Sequence, residues 1–348
     1  MPIYLDRNEN RYGPPAACVE LLHSVPAELL FNYTRAFKKG YYSSLSRRLA
    51  EIHDLDEKRV VLGYGCEDIL KQAVHHFLRP GERCFVPTAS WWYYQAIAEE
   101  VEGVTIKYPL VEKGQAYEFD VDALKAAHTE HTARMVLIST PNNPTGNIFP
   151  PDRLREILDH FRQSIVVLDE AYWGFIEKPE IDCATLVHEF PNVLVLRTFS
   201  KLFGLAGARI GYGLAGAGLG SFLKFSARYL GYSRISERLA LAALDDAEYP
   251  GMIRRKMVED RESISKCVRS FEPCQAYDSY ANFLLVRFPE PIVAPLKTAL
   301  DERGLIIKFF SEPGFINYAR ITLGTQEENA QLVSAFEELL PDLIAKRL

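Results

Sequence analysis

Short apolar runs alternate with segments of helical spacing through residues 60 to 215. The runs are Val60-Val61-Leu62, Arg83-Cys84-Phe85-Val86, Met135-Val136-Leu137-Ile138, Ile165-Val166-Val167-Leu168 and Val193-Leu194-Val195-Leu196. Continuous rather than alternating apolar character marks strands covered on both faces, so these read as buried parallel strands. The last three are spaced by about 30 residues, the length of a βαβ unit, with amphipathic stretches such as 152–161 between them. After about residue 233 the pattern changes. A long charged amphipathic helix is expected from Ser236 towards Ser270, then strands at 282–288, 305–309 and 318–323 and a final helix from Gln326. The first 30 residues carry Pro14-Pro15 and little strand pattern. The expected architecture is α/β, with a mainly parallel doubly wound sheet in a large domain, 30–232, and a smaller α+β domain built from 1–29 and 233–348.

Composition narrows the class. At 348 residues the chain exceeds one minimal core and fits one large domain plus a smaller one. With 48% apolar and 25% charged residues it is ordinary for a soluble protein, and no window reaches the ~18 apolar residues of a membrane span. A formal charge of −6 offers no field for phosphate backbones, so nucleic acid is not an expected partner. The six cysteines form no C-x-x-C pair and have no zinc-like spacing with the histidines, so no metal is expected. Met1-Pro2-Ile3-Tyr4-Leu5 runs straight into polar residues, without a charged and then apolar leader, and a cytoplasmic protein with reduced thiols is expected.

Each of the last three strands is followed at once by a polar cluster: Pro141-Asn142-Asn143-Pro144-Thr145-Gly146, Asp169-Glu170-Ala171-Tyr172, and Thr198-Phe199-Ser200-Lys201. Open α/β sheets bind ligands beyond the carboxyl ends of their strands, so three strands aim chemistry at one edge. A lone lysine is usually a solvated surface group. At a strand end near other cations, Lys201 is instead a candidate Schiff-base nucleophile, because burial beside positive charge favours the neutral amine. Asp169 is a turn cap in the plain reading; in the functional one it keeps a pyridine nitrogen protonated and preserves an electron sink. Tyr172 and Asn143 are donors for a phenolate oxygen. Arg209 and Ser200 suit a phosphate. Gly63-Tyr64-Gly65 opens a helix whose first N–H groups, at Cys66 and Glu67, face an anion. The glycine pattern there is incomplete for a dinucleotide, and Gly213 to Gly218 reads as a strand-to-helix connection. Arg320, on an expected strand, divides evenly between a surface ion pair and a substrate contact.

With Leu5-Asp6-Arg7-Asn8-Glu9-Asn10 and Arg320-Ile321-Thr322 added, the chain resembles the fold-type I, pyridoxal-phosphate-dependent class I/II aminotransferases, and within them the histidinol-phosphate aminotransferase branch. The resemblance spans almost the whole chain. It implies pyridoxal 5'-phosphate joined to Lys201, Asp169 at the ring nitrogen, Asn143 and Tyr172 at the ring hydroxyl, and Ser200 and Arg209 at the phosphate, beside the helix-start N–H groups of Cys66 and Glu67 read above. Arg320 takes the acidic end of the substrate, with Asn8 and Lys308 also on the substrate side. It further implies a homodimer with shared active sites, in which a tyrosine near Tyr33 reaches the partner's phosphate; Tyr41 and Tyr42 lie close by.

Departures from the branch concern substrate more than cofactor. Ala89 stands where the branch stacks an aromatic ring on the cofactor, so either Trp91 or Trp92 takes that role or the stacking is weaker. Lys308 stands where the branch has an arginine and lacks its bidentate fork. The run Arg228-Tyr229-Leu230-Gly231-Tyr232-Ser233-Arg234 replaces a Pro- and Asn-containing stretch. The expected activity is amino transfer between an amino acid, or amino-alcohol phosphate, and a 2-oxo acid. A decarboxylase resembling the threonine-phosphate decarboxylases, or a biosynthetic cyclase or oxidase, is the alternative on the same cofactor. A cofactor-binding regulator is disfavoured, because no basic helix-turn-helix region is left over.

Overall fold

The computed structural model describes residues 1–40, 42–176 and 181–347. Its strands in chain order are β1 (Ile3–Leu5), β2 (Val60–Gly63), β3 (Arg83–Pro87), β4 (Val104–Tyr108), β5 (Leu110–Lys113), β6 (Ala116–Phe119), β7 (Met135–Ser139), β8 (Ile165–Asp169), β9 (Val193–Thr198), β10 (Gly211–Ala215), β11 (Gln275–Ala276), β12 (Phe283–Arg287), β13 (Leu305–Phe309) and β14 (Tyr318–Thr322). The large sheet runs β2-β10-β9-β8-β7-β3-β4. Its centre is parallel, from β9 through β8, β7 and β3 to β4, and β10 lies antiparallel between β9 and β2. Side chains alternate between the faces of a strand, and here both faces are covered. Val136, Ile138, Val166, Leu168, Val193 and Val195 enter one core, whereas Met135, Leu137, Ile165, Val167, Leu194 and Leu196 enter the other. That double burial is the cause of the unbroken apolar runs.

The smaller sheet, β1-β13-β14-β12-β11, has β1 parallel to β13 and its other pairs antiparallel. Helices Tyr249–Arg269, Glu290–Glu302 and Gln326–Arg347 enclose its core, to which Ile253, Ile264, Leu296, Leu332 and Phe336 contribute. Helices Ala16–His23 and Arg234–Asp245 pack together and place Cys18, Leu239, Ala240 and Ala243 in the core of the large sheet.

Several expectations are corrected. The single long helix from Ser236 is two helices, Arg234–Asp245 and Tyr249–Arg269. The Asp246 carboxylate accepts from Tyr249 N at 3.0 Å, and Pro250 sits in the first turn of the second helix, so the intervening residues form a start signal. The N-terminal segment does contain a strand, β1, too short at three residues to show a period. Gly213, Leu214 and Ala215 lie inside β10, and only the residues after them connect to a helix. The hairpin β5–β6 escapes pattern reading because Pro109 and Gly114 interrupt it.

Candidate active site

The ends of β7, β8 and β9 lie side by side, with Ser139 in register with Asp169 and Asp169 with Leu196, so the three polar clusters emerge at one edge. Lys201 follows the end of β9. Its Nζ donates to the carbonyls of Arg7 and Asn8 at 3.1 and 3.0 Å. Among the described residues no carboxylate is ion-paired with it. Burial first, then the Arg320 charge, pull Lys201 down to about 8, so the neutral amine forms at much lower pH than in a free lysine.

Asp169, the last residue of β8, is buried. Its Oδ2 accepts from Tyr94 Oη at 2.7 Å and its Oδ1 from Ala171 N at 3.1 Å. Burial pushes its carboxyl above the usual range, and the two hydrogen bonds pull it back. Tyr172 is buried too, and its Oη accepts from Asn8 Nδ2 at 2.9 Å. Its ring meets Phe283 edge to face, with Lys201 Nζ 5.6 Å from the ring centre.

Arg320, on β14, spans the two sheets. Nη1 donates to Asn143 Oδ1 at 2.5 Å and Nη2 to the Asp6 carbonyl at 2.6 Å, while buried Nε has no partner. A half-buried guanidinium with one unpaired donor suits a site for an anion. Asn8, expected on the substrate side, is engaged within the protein. It is 1% exposed and spends Nδ2 on Tyr172 and Oδ1 on Thr322 Oγ1, at 3.2 Å, so it holds the Tyr172 hydroxyl.

The phosphate-type residues converge at the start of helix Cys66–Phe77. Arg209 Nη2 donates to the Tyr64 carbonyl at 3.1 Å and approaches Glu67 at 3.5 Å. Gly65, at φ 84°, caps the helix, and a Cβ there would sit 3.0 Å from Arg209 Nη2. Gly211, on β10, lets the sheet approach the helix start: a Cβ would lie 2.6 Å from Cys66 N. Ser200 is buried, with Oγ accepting from Thr198 Oγ1 at 3.0 Å. First-turn N–H groups without helical partners, a guanidinium and a hydroxyl form a donor set that fits a phosphate. Together with Asp169 and Lys201, the residues present fit pyridoxal phosphate.

Other expected residues stand apart. Trp91 leans on Tyr94, ring centres 5.8 Å apart at 75°, and is thereby tied to Asp169; Trp92 is 65% exposed, with its ring against Tyr93, and is not brought into the cluster. Tyr33 is 68% exposed and lines a cavity of about 250 Å³ together with Leu30, Thr34, Tyr232 and Arg234. Tyr42 is exposed, and Tyr41 lies outside the described residues. Lys308 is exposed on β13, directly opposite Arg320 on β14. Of the divergent run 228–234, Tyr232 reaches the phosphate turn through an edge contact with Tyr64, centres 5.4 Å apart. Tyr94 was missed, since nothing in sequence links it to a carboxylate 75 residues away.

Comparison with known proteins adds three findings. The family model described as aminotransferase class I and II matches residues 2–336. Proteins named histidinol-phosphate aminotransferase resemble the chain nearly end to end: that of Symbiobacterium thermophilum is 30% identical, covering 97% of this chain and 90% of its own, and the second such protein of Archaeoglobus fulgidus is 31% identical, covering 97% and 93%. Among solved structures, the histidinol-phosphate aminotransferase of Sinorhizobium meliloti, determined in complex with pyridoxal-5'-phosphate, superposes with a TM-score of 0.86 at 22% identity, covering 99% of this chain and 91% of that one.

Proposed function

The chain belongs to the class I and II aminotransferases and is a pyridoxal-phosphate-dependent aminotransferase of fold type I, and on that premise we propose roles for its residues and a class of substrate. When bound, the cofactor supplies an aldehyde that condenses with amines and a pyridinium ring that accepts electrons from the substrate Cα. Lys201 is the residue that would join it and, once released by the amino donor, carry the proton from the substrate Cα to the cofactor's aldehyde carbon, a role suited to an amine titrating near 8. Asp169 would hold the ring nitrogen, Asn143 and Tyr172 the ring hydroxyl, and Ser200, Arg209 and the N–H groups of Cys66 and Glu67 the phosphate. Of the two tryptophans, Trp91 is the better stacking candidate. The observation that carries this reading is the Lys201 amine, held by two backbone carbonyls and, among the described residues, ion-paired with no carboxylate, just after the strand that neighbours the one ending in buried Asp169.

The substrate is an amino acid or amino-alcohol phosphate with an acidic end at Arg320. Directly opposed residues of an antiparallel pair share a face, so Lys308 adds a second positive charge there. We also place the enzyme in the cytoplasm as a homodimer with shared sites, Tyr33 reaching the partner, and without nucleic-acid or membrane partners. Among the described residues, no helix is long and apolar enough to cross a membrane. The proposed division is a large cofactor-binding part, 30–232, and a small part, 1–29 with 233–348, amended in that helices Ala16–His23 and Arg234–Asp245 pack into the core of the large sheet.

A screen of purified, cofactor-loaded protein tests the substrate class. Histidinol phosphate, aromatic and basic amino acids are offered with several 2-oxo acids, and products are followed by mass. Borohydride reduction is expected to tag the peptide bearing Lys201, and an acidic donor to yield its oxo product with equimolar amino acid. Carbon dioxide release without an oxo product overturns transamination in favour of decarboxylation.

A further inference from the structure

We propose that Tyr94 is a positioning residue for the cofactor ring, its hydroxyl holding Asp169 as the carboxylate partner of the ring nitrogen. The proposal rests on the reading that this site binds pyridoxal phosphate. Tyr94 lies in helix Tyr93–Glu99, only 2% exposed, in the same core as Met135, Leu137 and Val167. Its ring is braced by Trp91, and its Oη donates to Asp169 Oδ2 at 2.7 Å. Ala171 N occupies Oδ1 at 3.1 Å. Both donors are neutral, and among the described residues no cationic side chain is ion-paired with Asp169. A carboxylate offers about four acceptor directions, so two remain for a cationic N–H.

The balance of forces gives Tyr94 its leverage. Burial drives Asp169 towards its protonated, neutral form, which cannot hold a pyridinium. Hydrogen bonds donated to the charged form oppose burial, and Tyr94 is foremost among those acting on Asp169. Its own phenol is pushed well above 10 by burial, then by Asp169, so it remains an O–H donor. The other titratable groups facing this carboxylate are Cys66 and Tyr172, both pushed upward by burial and neutral. Removing the hydroxyl leaves one neutral donor on a buried carboxylate. The bond to the ring nitrogen then weakens, while contacts to phosphate and ring hydroxyl stay intact.

The test compares two ligands on cofactor-free protein: pyridoxal phosphate, and its analogue with carbon in place of the ring nitrogen. In Tyr94→Phe the dissociation constant for pyridoxal phosphate is expected to rise about tenfold or more, the scale of a hydrogen bond to a charged group, with the analogue's unchanged within about twofold. The visible spectrum with pyridoxal phosphate is expected to shift towards the unprotonated ring. Tyr94→His, which keeps a ring N–H, and Tyr94→Leu, which has no donor, repeat the comparison independently of how the Phe variant folds; His is expected to recover part of the discrimination and Leu none. Equal weakening of both ligands means that Tyr94 only packs, and no weakening means that its hydroxyl is idle; either overturns the proposal. Failure of the unaltered protein to bind pyridoxal phosphate sinks the underlying reading instead.

Discussion

Lys201 shows how far one residue's environment can be converted into measurable behaviour. It titrates near 10.5 when unfolded and about 8 when folded, so between those values unfolding takes up a proton. Stability from this site therefore rises with pH across that window, and below about 8 the full penalty is present. Cofactor-free Lys201→Met is expected to be more stable than its parent at pH 7 by about 1–3 kcal/mol. That gap should close towards pH 10.5 in denaturant titrations; parallel stability curves would show that the amine is not strained. The same variant should have no turnover. At Arg320, replacement by Lys keeps the charge but cannot bond both Asn143 and Asp6 and still face a ligand. Arg320→Lys should raise the donor KM about tenfold or more, since the planar fork is lost. An unchanged KM would place the acidic end elsewhere.

At the scale of elements, the phosphate cradle depends on how closely β10 approaches the start of helix Cys66–Phe77. A methyl at Gly211 would lie 2.6 Å from Cys66 N and 2.7 Å from Gly65 C, both backbone atoms that cannot swing aside. Gly211→Ala should cost about 1–3 kcal/mol in thermal or denaturant unfolding and weaken pyridoxal phosphate binding, as overpacking forces the helix away from Arg209. Retention of both properties would mean that the junction is looser than its geometry. Helix starts and strand ends were readable here because their signals are local: Gly65 before Cys66, and apolar runs ending in Ser139, Asp169 and Thr198. The antiparallel β10 was not, because its glycines suit a connection until their role beside the helix is seen.

The whole molecule brings distant segments onto one site. Asp6 and Asn8 from the first strand's end, Asn143 after β7, Tyr172 after β8 and Arg320 on β14 meet through direct hydrogen bonds, so the two sheets share the site. If two protomers also share it through Tyr33, inactive Lys201→Ala and Tyr33→Ala proteins should complement each other when mixed and reassociated. One site in each mixed dimer would then carry neither change, restoring roughly a quarter of full activity for random pairing. No recovery, in a preparation shown to exchange subunits, would exclude a shared site.

Local chemistry alone carried the apolar periods, the three polar strand ends and the motifs around Asn143, Asp169, Lys201 and Arg209, because strand burial and helix starts depend on neighbours a few residues away. Tertiary structure decided what lies across long separations. It paired Tyr94 with Asp169, joined Asn8 to Tyr172 and brought Arg320 to Asn143. Those outcomes rest on distances between segments far apart in the chain, and on how much water each group loses when they meet.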